Sequence, residues 1–143
     1  MTEQQHWPGP DPDDITAWLL VQAGHLAGRR FTAVLGDLGL TPIQFGVLLQ
    51  LDLHPAMSNG EIARSVLVTP QSMSELLGSL ERLGLVERES EGGRGRRVRA
   101  RLTPAGRQTL EACSRRVAEV EASLGLTATE ARQINALLRR LLR

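Results

Sequence analysis

Lysine is absent from the 143 residues, and cysteine occurs once, at Cys113. A single thiol excludes an internal disulfide framework and fits a reducing compartment. Without lysine, all basic charge rests on arginine, whose guanidinium suits bidentate phosphate and guanine contacts. The total lack of lysine is nevertheless better explained by a GC-rich coding bias. Long apolar runs are missing too. The stretch from Ile15 to Ala27 is interrupted by Gln22 and His25 and is too short to cross a bilayer. Asp11, Asp13 and Asp14 precede it where an export signal carries basic residues. These features predict a cytoplasmic protein with no membrane span. His6, His25 and His54 lie far apart without ligand spacing, so no metal site is expected. No nucleophile can be paired with a base, and no lysine, serine or threonine follows Gly92, Gly93 and Gly95 as in a phosphate-binding loop. The chain is not expected to be an enzyme, and no cofactor is implied.

What the chain does contain is a concentrated positive charge. Arg94, Arg96, Arg97, Arg99 and Arg101 occur with no acid between positions 94 and 101, a local +5 in a chain of net charge +1. From Arg97 to Leu102 the residues alternate, so a strand would bury Val98, Ala100 and Leu102 and turn Arg97, Arg99 and Arg101 the other way. Alone, such a strand reads most simply as a sheet edge kept from pairing by charge. Its context points elsewhere.

Two short helices precede it. Ser58 and Glu61 form a capping box for a helix with Ile62, Ala63 and Val66 on its apolar side, ending near Leu67. Thr69 and Pro70 open a second helix, whose Met73, Leu76, Leu77, Leu80 and Leu83 recur at three- and four-residue spacing before a stop at Gly84. A tight turn between two helices is how a helix-turn-helix lays its second helix into a major groove. Leu85 and Val86 then begin the outgoing strand of a two-stranded hairpin, ending in the polar stretch Glu87 to Glu91. The expected fold is mainly α (α+β), a winged helix-turn-helix over about 40–103.

The flanks read as helices built for pairing. Residues 1–10, with Pro8, Gly9 and Pro10, predict a loose arm. A single domain of about 11–143 then begins with a long helix from Asp11 to about Leu38. Thr41, Pro42 and Gln44 cap a nearly all-apolar helix that His54 and Pro55 end, expected to be central. After Pro104, Leu110, Cys113, Val117, Val120 and Leu124 step by three and four residues like a coiled-coil seam. Thr127 and Glu130 cap a last helix carrying Ile134, Leu137, Leu138, Leu141 and Leu142. This hairpin is expected to bury Leu110, Cys113, Val117, Val120, Ile134, Leu137, Leu138 and Leu141 against the N-terminal helix and a second copy. Dimerisation helices would thus span about 11–38 and 104–143, and a homodimer would present two recognition helices roughly 34 Å apart.

From about Trp18 to the C-terminus the chain resembles the multiple antibiotic resistance regulator, or MarR, family. The resemblance rests on Leu40-Thr41-Pro42 with Gln44-Phe45, on Glu61-Ile62-Ala63, on the run from Leu80 to Arg88, and on Leu102-Thr103-Pro104-Ala105-Gly106. It implies an obligate dimer that binds a palindromic operator, usually as a repressor, and often releases it when a small aromatic or phenolic effector binds. Arg94 stands where the family's wing commonly carries an acid, while Arg96 matches its basic position. The departure implies a looser wing tip.

The candidate DNA-reading residues are Thr69, Pro70, Gln71, Ser72, Ser74, Glu75 and Ser79. Gln can pair with adenine, and Glu75 can accept from cytosine, although a solvated carboxylate is the simpler account of Glu75. Because Thr69 to Leu83 carries a charge of −1, phosphate attraction falls to Arg64, Arg94, Arg96, Arg97 and Arg99. Trp18, His25 and Phe45 are candidates for an effector pocket, with plain core packing as their simpler reading. Cys113 reads as a small hydrophobe rather than a redox sensor. The alternatives to a double-stranded-DNA-binding regulator are an architectural DNA binder and a winged-helix interaction module without ligand response.

Overall fold

The computed structural model describes residues 7–90 and 98–143. The expected helix from Asp11 to Leu38 is three pieces: a 3-10 turn (Pro12–Asp14), α1 (Thr16–Leu35) and a 3-10 turn (Gly36–Leu38). Asp11 does cap, accepting from the Asp13 N–H at 3.0 Å. Extended backbone at Ile15 (ψ 94°) then ends the first turn before α1 starts. The next three helices begin at hydroxyl caps, α2 (Pro42–Leu53) at Thr41, α3 (Asn59–Ser65) at Ser58 and α4 (Pro70–Arg82) at Thr69. In each case the side-chain oxygen takes up an N–H that the first turn leaves free. α5 (Pro104–Ser123) starts at Thr103 and α6 (Ala128–Leu141) at Thr127 in the same way.

Gly84 stops α4 in the left-handed conformation (φ 73°), and the Leu85 N–H reaches back to the Leu80 carbonyl at 3.0 Å. This reversal launches β2 (Val86–Ser90), which pairs antiparallel with β3 (Val98–Leu102), Val86 opposite Leu102. The expected two-stranded hairpin is a three-stranded sheet. β1 (Met57–Ser58), just before α3, pairs with the other edge of β3, Met57 opposite Ala100.

The core joins the DNA-binding lobe to the flanking helices. Val47, Leu48 and Leu51 of α2 meet Ile62 and Ala63 of α3 and Met73, Leu77 and Leu80 of α4, with Ala100 and Cys113 closing the cluster. α2 is central but not covered on all sides, since Ile43, Leu49 and Leu53 remain exposed.

The C-terminal helices depart most from expectation. α5 lies along α1 and α2, and Cys113 and Val120 are 0% and 2% exposed within one protomer. Those two residues of the seam therefore serve the chain's own core and are not available to a partner. Arg30 of α1 fastens the far end of α5, donating to the Ser123 carbonyl at 2.7 Å. α6 forms no hairpin with α5 and runs along none of the other described elements. Its Ile134, Leu137 and Leu141 stay exposed, as does Leu142 just beyond it. Among the described residues, no single helix is long and apolar enough to cross a membrane.

Candidate nucleic-acid interface

α4 divides its faces cleanly. Met73, Leu77 and Leu80 are buried, while Gln71, Ser72, Ser74 and Glu75 are exposed on the N-terminal half. Thr69 fixes that end by accepting from the Ser72 N–H at 3.1 Å and donating to Ser72 Oγ at 3.0 Å. Pro70 supplies a carbonyl to Asn59 Nδ2 at 3.1 Å, which ties the start of α4 to the start of α3. Ser79 does not join this set. It lies on the stripe of Ser72 but about 10 Å further along the helix, where Gln44 Nε2 of α2 donates to its hydroxyl at 3.3 Å. The structure places it at an internal contact.

On the basic side, Arg64 is exposed in the last turn of α3. Arg94, Arg96 and Arg97 lie outside the described residues. Arg99 is partly buried and donates to the Ala56 carbonyl at 2.7 Å, so it pins the loop before β1 as well as belonging to the wing. Arg101, opposite Glu87 in the ladder, reaches diagonally to Glu89 at 3.5 Å. The alternation of β3 holds at Ala100, 1% exposed, and at the partly buried Leu102, whereas Val98 at the wing end is 40% exposed.

The three candidate effector residues are not brought together. His25 lines an open groove of about 680 Å³ on α1, with Leu20, Val21, Arg29 and Pro42 among its walls. Phe45 stacks on Phe31, their ring centroids 5.8 Å apart, and faces a second groove of about 500 Å³ between α2 and α5. Trp18 is half-exposed and lines neither. Leu110 and Val117, assigned from sequence to the dimer seam, face the second groove, which Asp52 and Arg107 bridge at 3.6 Å.

The sequence model of the MarR family matches residues 38–97. The HTH-type transcriptional repressor Rv2887 of Mycobacterium tuberculosis is 34% identical over 131 residues, which cover 90% of this chain and 94% of that protein. The chain belongs to the MarR family. The crystal structure of Rv2887 in complex with salicylic acid aligns with a TM-score of 0.69 at 34% identity, covering 88% of this chain and 95% of that one. The transcriptional repressor CouR bound to a 23-mer DNA duplex aligns with a TM-score of 0.82 at 25% identity, over 94% and 99% of the two chains. The protein is accordingly a MarR-family DNA-binding transcriptional regulator and not an enzyme.

Within this MarR-family frame, two features were missed in the sequence. Arg88 of β2 meets both carboxylate oxygens of Glu81 on α4, each at 3.2 Å. That hydrogen-bonded guanidinium holds the Glu81 carboxyl below the ordinary glutamate range. Arg29 stands one turn after His25 in the α1 groove. The sequence signal for both was simple spacing, seven residues across a helix stop and four along a helix.

Proposed function

We propose that the protein is a dimeric repressor of a palindromic operator, released by a small aromatic acid. The observation that carries this reading is the exposed polar face of α4, Gln71, Ser72, Ser74 and Glu75, in a chain whose sequence sets Arg94, Arg96, Arg97, Arg99 and Arg101 close together after β2. Small polar side chains approach base edges closely, and cations outside the helix supply attraction to phosphate.

Dimerisation is supported by two apolar surfaces that the protomer leaves open. Trp18, Leu19, Leu20 and Val21 on α1 are exposed, as are Ile134, Leu137 and Leu141 on α6 and Leu142 just after it. Patches of this kind on a DNA-binding chain fit a twofold partner. We place the protein in the cytoplasm, where the DNA is.

For the effector, the α1 groove is the better-suited cavity. His25 and Arg29 stand beside Leu20, Val21 and Pro42, with no acid among the lining residues. An apolar ring with one carboxylate matches that lining. In the Rv2887 complex the ligand is salicylic acid, a molecule of this class.

The test begins with selection of binding duplexes from random-sequence DNA by the full chain. Affinity for the selected duplex is then measured by fluorescence anisotropy with and without salicylate. Selection of one inverted repeat, bound two chains per duplex and released by salicylate, is the expected outcome. Binding without sequence preference would favour an architectural role, and absence of DNA affinity would favour an interaction module.

A further inference from the structure

Arg88 occupies the wedge between the recognition helix and the wing. It belongs to β2 and pairs with Ala100 of β3, so its backbone is part of the wing sheet. Its side chain crosses to α4, where Nε meets Glu81 Oε2 and a terminal nitrogen meets Oε1. Two parallel bonds from a planar fork fix orientation as well as distance. The guanidinium lies over the helix beside Gly78, one turn before Glu81, where even a Cβ would make only an ordinary contact with it at 3.8 Å. Arg88 also shares the lining of a 200 Å³ cavity with Ser74 on the exposed face of α4 and Val98 at the wing end.

We propose that Arg88 is a positioning residue for DNA reading. It sets the angle between α4 and the wing, and it neutralises the acid at Glu81 that would otherwise repel phosphate. An exposed ion pair is worth little as stability. The pair's effect is therefore on geometry and charge, which separates it from a merely structural role. The inference rests on the DNA-binding reading above.

The test uses Arg88→Lys, which keeps the charge and most of the stem but loses the fork, and Glu81→Gln, which removes the acid. The probes are the duplex selected by the wild-type protein and a scrambled duplex of equal length. Arg88→Lys should lower the ratio of selected to scrambled affinity by about tenfold. Its salt slope should be unchanged and its thermal midpoint shifted by less than about 4 °C. Glu81→Gln should strengthen binding to the scrambled duplex and steepen the salt dependence by roughly 0.9 per protomer, because a cation is released to the phosphates. Residual dipolar couplings on the DNA-free protein should show α4 reoriented against β2 and β3 in Arg88→Lys. A ratio within about twofold of wild type, or unchanged couplings, would overturn the proposal. So would equal losses on both duplexes, which would make Arg88 a plain phosphate contact. A wild-type protein that fails to prefer its selected duplex would instead remove the DNA-reading premise, and the couplings would still decide whether the clamp exists.

Discussion

Gly106, in the first turn of α5, lies so close to the Leu85 carbonyl that a Cβ would overlap it and stand 2.8 Å from Leu102 Cδ2. Around this contact Thr103 donates from its hydroxyl to the Gly84 carbonyl at 2.6 Å and from its N–H to the Leu85 carbonyl at 3.1 Å. The stop of the recognition helix and the start of α5 are thus one joint. Gly106→Ala should destabilise the fold by about 1–3 kcal/mol through overpacking. Urea denaturation checks this, and a midpoint equal to wild type would show that the joint yields freely.

A second prediction concerns the turn between α3 and α4. Leu67 adopts a left-handed backbone (φ 58°) and is 69% exposed, so it carries conformational strain without packing in return. A left-handed L-residue costs roughly 1–2 kcal/mol, part of which glycine gives back through the greater freedom of the unfolded chain. Leu67→Gly should therefore raise stability by about 0.5–1 kcal/mol. Thermal melts that fall on this change would mean that Leu67 makes a contact in the folded protein that offsets its strain.

How far the fold was legible follows from these kinds of signal. Caps at Thr41, Ser58, Thr69 and Thr127 and the stop at Gly84 are local chemistry, and each stands where its residues put it. β1 is two residues long and has no period to read; it exists because β3 offers it an edge. The three- and four-residue spacing of Leu110 to Val120 marks an apolar face, but spacing cannot say whether the same chain or a second one covers it. α1 and α2 cover Cys113 and Val120. In the candidate site, exposure of Gln71, Ser72, Ser74 and Glu75 around the buried Met73 followed from helical phase. The internal contact of Ser79 depended on where α2 begins, which phase does not contain.

The arginines of the wing should divide by role. Arg96→Ala and Arg97→Ala should weaken binding to selected and scrambled duplex alike, each reducing the log-log salt slope by about 0.9 per protomer. Arg99→Ala should act differently, because its guanidinium is bonded to the Ala56 carbonyl. Loss of that bond loosens β1 from the wing, so amide exchange at Met57 and Ser58 should quicken while the salt slope changes less. Gln71→Ala should lower discrimination by ~1–3 kcal/mol with the slope unaltered. If Arg99→Ala changed the slope as much as Arg96→Ala and left exchange untouched, its part would be phosphate contact.

Acid should undo the link between helix and wing in a defined direction. The Glu81 carboxyl is held low by its hydrogen bonds from Arg88. Its stabilising contribution is fully present above the carboxyl's unfolded-state value and is lost as pH falls through the lowered folded value. The carboxyl resonance of Glu81 should accordingly titrate below the ordinary glutamate range, and Arg88→Ala should return it there. An unshifted titration in the wild-type protein would mean that the pair is open in solution.

The dimer prediction turns on where an added charge lands. Leu137 and Leu141 are 57% and 65% exposed on α6, whereas Val120 is 2% exposed beneath α1. An aspartate at either α6 position meets water in the isolated protomer and is buried only when a second copy covers the helix. Leu137→Asp and Leu141→Asp should therefore give a monomer mass by light scattering at micromolar concentration, with far-ultraviolet circular dichroism close to wild type and weakened binding to the selected duplex. Val120→Asp should instead unfold the chain at any concentration, because an unpaired buried carboxylate costs several kcal/mol. A wild-type monomer would remove the proposed dimer. A dimer that survives both α6 changes would move the interface to the exposed stretch from Trp18 to Val21, where Leu19→Asp repeats the same test.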